Sequence, residues 1–233
     1  MLRPTKLLED ALIHTKDLKP LDGIRALNNL DLADLKYSIF ARLCVAQSNK
    51  QTLMHIASKG NDIFPHPDPT MNVNEFALMT EFFSKNFSQV KAVRYHTISF
   101  PQGLKSSYSV LSKFNVKISS NMGFNDAVGF PGGNAYGIKF VQFGIVEIPI
   151  IFMDIIPFRE GYTPSQTKRL IEKLLKELRK NNGISSFIFH IDYLHDPQFY
   201  DLLLFFIDKA EKSGVSIMSF GTAYDELVKG KIL

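Results

Sequence analysis

Histidine, aspartate and arginine recur in this chain directly after short apolar runs. Ile13 leads into His14 and Asp17, Ile63 into His66 and Asp68, Val93 into Arg94 and His96, Phe152 into Asp154, and Phe189 into His190 and Asp192. Side chains of these types move protons and hold polar ligands. One polar residue at the end of a strand carries little information. Its repetition along the chain marks a functional rim rather than scattered structural hydrogen bonds. Other histidines read differently. His55 falls in the middle of a helical pattern and is a packed or surface residue. His195 belongs to Leu194-His195-Asp196-Pro197, which has the composition of a helix start. The glycines from Gly129 to Gly133 lack the Lys-Ser/Thr ending of a phosphate loop and do not lead into a helix, so they read as a loop that is structural or covers substrate.

The rim needs strands to end on one edge. Apolar, β-compatible runs predict strands over 11–13, 35–45, 62–65, 90–94, 116–119, 145–152, 184–189 and 215–218. Helical spacing of apolar residues predicts helices over 21–32, 51–58, 73–86, 105–114, 165–180, 199–210 and 222–228. Strand followed by helix, repeated, argues for a parallel α/β fold. Near-continuous apolar strands are expected where helices cover the sheet. In a parallel barrel every one of the polar strand ends would lie on the C-terminal rim.

Bulk properties narrow the function classes. The 233 residues are 45% hydrophobic, enough for one sizeable core. The net charge of +4 is mild, and the densest basic group, Lys168 to Lys180, alternates with Glu172 and Glu177 as on a solvated helix face. No nucleic-acid-binding signature accompanies it, so no nucleic-acid partner is expected. Cys44, the one cysteine, sits in an apolar run and reads as a packed small hydrophobe. No run is long enough for an integral membrane segment, and the start has no apolar core of a signal peptide. A cytoplasmic location is the expectation.

In order and spacing, these residues resemble the motifs of the polysaccharide deacetylases with NodB homology (carbohydrate esterase family four). His14-Thr15-Lys16-Asp17 before a proline resembles the family's first motif, which carries two aspartates. Lys36-Tyr37-Ser38-Ile39-Phe40 resembles a following strand. Gly60-Asn61-Asp62-Ile63-Phe64-Pro65-His66 resembles the second motif, and Val93-Arg94-Tyr95-His96 the third. Ser119-Ser120-Asn121-Met122-Gly123-Phe124 through Gly133 resembles a loop of one branch. Glu147-Ile148-Pro149 through Met153-Asp154 resembles the fourth motif, and Phe187-Ile188-Phe189-His190 the fifth. The resemblance covers about residues 11 to 228.

The resemblance implies a distorted (β/α) barrel of about seven parallel strands, forming one domain over 1–233. It implies a carbohydrate substrate and a divalent metal, zinc in most of the family, that polarises an acyl carbonyl. Asp17 and His66 match metal ligands and His190 the general acid. Arg94 matches the orienting arginine and Asp154 its acidic counterpart. His96 and the loop residues Asn121 and Asn125 are expected to contact substrate. Thr15 stands where the family has its catalytic-base aspartate, which leaves Asp68 or His14 as the base. Thr70 stands where a second metal histidine is usual, which leaves Asp68 or His96 to replace it. Pro131 replaces an arginine of the loop. The function implied is metal-dependent deacetylation of an acylated amino sugar in surface polysaccharide (for example lipopolysaccharide) biosynthesis. The alternatives are an inactive domain that binds carbohydrate or a partner protein, and a different barrel hydrolase or epimerase.

Overall fold

The computed structural model describes residues 35–97, 103–133, 135–136 and 138–228. The strand expected over 11–13, the helix over 21–32, and His14, Thr15 and Asp17 lie outside the described residues.

Strand and helix alternate as the sequence pattern requires. Strand β1 (Ser38–Ala41) is followed by helices α1 (Leu43–Ser48) and α2 (Lys50–Ser58), β2 (Asp62–Pro65), α3 (Val73–Asn86), β3 (Ala92–Val93), α4 (Leu104–Lys113) and β4 (Ile118–Ser119). Then come β5 (Ile138–Phe140), β6 (Ile145–Glu147), β7 (Ile150–Met153), α5 (Ile155–Arg159), α6 (Pro164–Asn181), β8 (Ser186–Ile188), α7 (Pro197–Lys212) and α8 (Phe220–Val228). The longer helices start where capping chemistry places them. Asn72 accepts hydrogen bonds from the Asn74 and Glu75 amides, while the Glu75 carboxylate accepts from the Asn72 amide. Thr163 and Gln166 form the same reciprocal pair ahead of α6, with Pro164 in its first turn. Asp196 caps α7 by accepting from the Gln198 amide, so the Leu194–Pro197 stretch is a helix start.

Helix α6 buries Ile171, Leu174, Leu175 and Leu178, and α7 buries Leu202, Leu203, Phe206 and Ala210. Each fully buried aliphatic of this kind contributes about 1.5–3 kcal/mol. On the outer side Lys168 pairs with Asp201 at 2.6 Å and Lys209 with Glu172 at 2.9 Å, so the basic stretch is a solvated face tied to its neighbour helix. No helix among the described residues is long and apolar enough to cross a membrane.

Strand pairing departs from the expected barrel. Among the described residues the ladders form three sheets, β1–β2, β3–β4–β6–β5 and β7–β8, and none is closed. All these pairs are parallel except β5 with β6, which is antiparallel. Strands of two to four residues, and the register shift between Ile150 and Phe152, leave too little ladder to close. The strand expected over 145–152 is two strands in different sheets. Pro149 has no amide hydrogen to continue a ladder, and the chain switches partners there, Ile148 bonding to Ser119 and Ile150 to Met122.

Three further expectations are corrected. The run 35–45 is a strand only to Ala41. From Leu43 it is a helix whose buried residue is Ala46, and Cys44 lies on the solvent side of that helix. The Cys44 thiol is therefore exposed rather than packed. The run 215–218 forms no ladder among the described residues and is held through the side chains of Val215 and Ile217 on the core. Finally, the loop after β4 contains β5, turned back onto β6 through Gly144, whose φ of 63° suits glycine.

Candidate active site

Because β1, β2, β3, β4, β7 and β8 run in parallel pairs, the residues that follow them gather at one edge. They line a cavity of about 890 Å³ whose wall includes Arg42, His66, Arg94, His96, Asn125 and His190. Backbone bonds across the strand ends tie this edge together. The His66 amide donates to Ala41 at 2.9 Å, His96 to Pro67 at 2.8 Å and Ser120 to Val93 at 3.2 Å.

His190 is set by Asp154. The Asp154 carboxylate is fully buried at 0% exposure, and one oxygen accepts the His190 amide at 2.7 Å. Its other oxygen accepts His190 Nδ1–H at 2.5 Å and the Ile155 amide at 2.8 Å. The contact fixes the tautomer with the proton on Nδ1 and leaves Nε2 without a hydrogen bond among the described residues. Burial opposes charging the ring, but the charge and hydrogen bond of Asp154 outweigh it and hold the His190 pKa above its ordinary value. Tyr193 packs against the imidazole at 5.5 Å between ring centres and is stacked at 5.0 Å on Phe199.

His66 is set in a similar way by a carbonyl. Its Nδ1–H donates to the Arg94 backbone oxygen at 2.8 Å, so Nε2 carries the free lone pair. Burial, with the nearby charges of Arg94, His96 and His190, pushes its pKa down to about 3, so the ring is neutral near pH 7. The His96 ring stands edge-on at 5.2 Å, its pKa lowered by burial and by Arg42. His66 thus has the orientation and protonation state of a metal ligand. A catalytic zinc takes three protein ligands. Among the described residues no three His, Cys, Asp or Glu side chains are grouped to hold a metal, so these residues alone do not make a metal site.

Arg94 is buried, with 8% exposure. Its Nη2 donates to Ser186 Oγ at 2.5 Å and Ser120 Oγ at 3.0 Å, and Nε to the Ser120 carbonyl at 3.3 Å. The guanidinium lies 4.5 Å over Phe40 and 5.5 Å over Phe220. Burial lowers its pKa to about 9, partly offset by Glu147, which leaves it charged at pH 7. Asp154, its expected acidic counterpart, is hydrogen-bonded to His190 and Ile155 instead.

The remaining expected residues fall as follows. Asn121 is buried, its Oδ1 accepting the Tyr95 amide at 2.6 Å and its Nδ2 donating to Ser119 at 2.6 Å, so its amide serves the loop. Asn125 lies on the exposed loop, its carbonyl accepting from Arg159 Nη2. Asp68 is not part of the cavity wall. Its Oδ1 accepts the Thr70 amide at 3.0 Å and hydroxyl at 2.7 Å, and these bonds lower its pKa, making it a weaker proton acceptor.

Two contributors were not singled out from sequence. Arg42 follows β1 directly and obeys the same strand-end rule, but reading the strand through to Val45 hid it. Glu147 is fully buried at 0% exposure and receives the Met122 amide at 2.7 Å, the Tyr108 hydroxyl at 2.8 Å and the Asn121 amide. It pins the turn that carries Ser120 and Asn121. Its pKa is raised by burial, against the pull of these hydrogen bonds.

Solved structures share this fold. A Mycobacterium smegmatis protein assigned as a polysaccharide deacetylase matches with a TM-score of 0.68 at 17% identity, over 92% of this chain and 79% of that one. PuuE allantoinase matches with a TM-score of 0.58 at 14% identity, over 82% and 66%. A Bacillus anthracis pseudoenzyme of the CE4 family, in a mutant with restored activity, matches with a TM-score of 0.54 at 11% identity, over 88% and 63%. The chain therefore has the fold of the CE4 polysaccharide deacetylases. No protein-family model matches the sequence, and no curated protein matches it.

Proposed function

We propose that this chain, with the fold of the CE4 polysaccharide deacetylases, is a divergent member of that family. In this reading it removes an acyl group from an amino sugar during assembly of a surface polysaccharide. The observation that carries the reading is His190 in the wall of the cavity, hydrogen-bonded to the buried Asp154 carboxylate behind it. With Nδ1–H committed to Asp154, Nε2 is the atom available to substrate. It takes a proton from the water that attacks the acyl carbonyl. The imidazolium so formed is stabilised by the buried carboxylate, and it returns the proton to the departing amine. The acyl carbon–nitrogen bond breaks, free acid and amine leave, and the histidine ends neutral. Asp154 acts through His190, by fixing its tautomer and favouring its charged form.

A divalent ion, zinc, is part of the proposal, with His66 and Asp17 as ligands. When bound it would polarise the acyl carbonyl. The described residues do not complete its ligand set.

A second reading is a domain that binds carbohydrate without hydrolysing it. It is favoured by Thr15 at the base position and by a cavity wall whose one described carboxylate is Asp192. It also accords with a pseudoenzyme among the proteins sharing the fold.

The test measures bound metal in the purified protein and in Asp17→Ala and His66→Ala, then acetate release from N-acetylated sugars by wild type and His190→Gln. Stoichiometric metal lost in both ligand variants, with acetate release that needs His190, supports the hydrolase. No divalent metal and no acetate release would leave the binding domain as the answer.

A further inference from the structure

Among the described residues the permanent charges that line the rim are two arginines, Arg42 and Arg94, against one carboxylate, Asp192. Arg42, His66, Arg94, His96 and His190 line the cavity there, and Arg179 lines its opposite end, at the close of α6. Asp192 is the one carboxylate among the described lining residues. The nearby carboxylates are already engaged. Asp154 serves His190, Glu147 serves Tyr108 and the Asn121–Met122 backbone, and Asp68 outside the wall serves Thr70.

Arg94 stands out in this set. Its described partners are all neutral, two serine hydroxyls, a carbonyl and two aromatic faces, and none of these hydrogen bonds uses Nη1. Among the described residues the charge of Glu147 supports it without a hydrogen bond, and a buried guanidinium whose hydrogen bonds all go to neutral groups is suited to pairing with an incoming oxyanion. Arginine's planar donor fork matches both carboxylate and phosphate. Arg42, exposed at the end of β1, adds a second cation on the side of His96.

We propose that the ligand of this cavity is an anionic sugar, one bearing a carboxylate or a phosphate, whose charged group seats against Arg94 with Arg42 flanking it. The inference rests on the cavity being a sugar site, as proposed above, and adds the charge of the sugar. It makes the protein discriminate by charge before any chemistry takes place.

The experiment is calorimetric titration of the full-length protein with N-acetylglucosamine, its 1-phosphate, its uronic acid and inorganic phosphate. The charged sugars are expected to bind at least tenfold more tightly than the neutral one, and the tighter of the two identifies carboxylate or phosphate as the natural group. Arg94→Gln should abolish that preference, with the loss falling mainly on the charged sugars, and Arg94→Lys should retain part of it. Arg42→Gln, on the exposed rim where folding is not at stake, should reduce the preference several-fold. Raising the salt should weaken only the charged ligands. Equal binding of neutral and charged sugars overturns the inference. So does an equal loss for both in Arg94→Gln, or the absence of binding by any of the four probes. Acetate release separates the two proposals. Charge preference without release retains the anion site and removes the hydrolase, and release without charge preference does the reverse.

Discussion

Replacing Asp154 by asparagine keeps the shape of the side chain and removes its charge. In the wild type the two carboxylate oxygens accept three N–H groups, from Ile155, the His190 backbone and His190 Nδ1. Asparagine has one acceptor oxygen and turns an NH₂ towards the other donors, so at least one buried N–H loses its partner. An unsatisfied buried donor costs about 1–3 kcal/mol, and losing one member of a buried ion pair about 3–5 kcal/mol. The His190 side chain keeps 39% exposure, so water compensates part of this and about 2–3 kcal/mol of destabilisation is expected. The electrostatic consequence is sharper. The Asp154 carboxylate is the main support that lifts the His190 pKa against burial, so in Asp154→Asn burial and Arg94 are opposed only by Asp192 and the pKa falls. Histidine ring NMR titration reads this directly, and urea unfolding reads the stability. If hydrolysis occurs, its rate should fall by about two to four powers of ten, since the tautomer and the imidazolium lose their support. A His190 pKa unchanged in Asp154→Asn would refute the reasoning, whatever happened to stability.

Other outcomes follow from the same geometry. Glu147→Ala leaves the Asn121 and Met122 amides and the Tyr108 hydroxyl without their buried acceptor, so urea unfolding should show a loss of about 3 kcal/mol or more. Gly221→Ala places a Cβ 2.9 Å and 3.0 Å from the Asp62 carboxylate oxygens and pushes that carboxylate off the Gly221 amide, which it accepts at 2.7 Å. A loss of about 1–3 kcal/mol is expected, and the cost of adding the methyl should be clearly smaller in an Asp62→Ala background. The His66 pKa is lowered from 6.5 to about 3 in the folded protein, so the unfolded chain takes up that proton first as the pH falls. Its contribution is fully present above the unfolded pKa and declines towards the folded one, by up to about 1.4 kcal/mol per pH unit. Unfolding midpoints measured with chelator present should fall less steeply on acidification in His66→Asn than in wild type; equal slopes would contradict the assignment.

Much of the fold was legible because its signals are local. Asp196 before Pro197 and the apolar spacing of α6 and α7 each need only a few neighbouring residues to be read. The strand-end rule likewise placed His66, Arg94, His96 and His190 around one cavity, since parallel neighbours bring their ends to one edge. Where it failed, the element boundary failed first. The apolar run to Val45 has the composition of a strand, yet the chain turns helical at Leu43, which hides Arg42, and Pro149 divides β6 from β7 inside one apolar run.

What the residues themselves settled was therefore the alternation of elements and the collection of polar groups at the strand ends. The tertiary structure decided which of those groups touch. Asp154 meets His190 across 36 positions, and Arg94 meets Ser120 and Ser186 across 26 and 92 rather than a carboxylate. Such pairings depend on strand register and on how the helices seat the strands. These are properties of the packed core as a whole, and no local run of sequence encodes them.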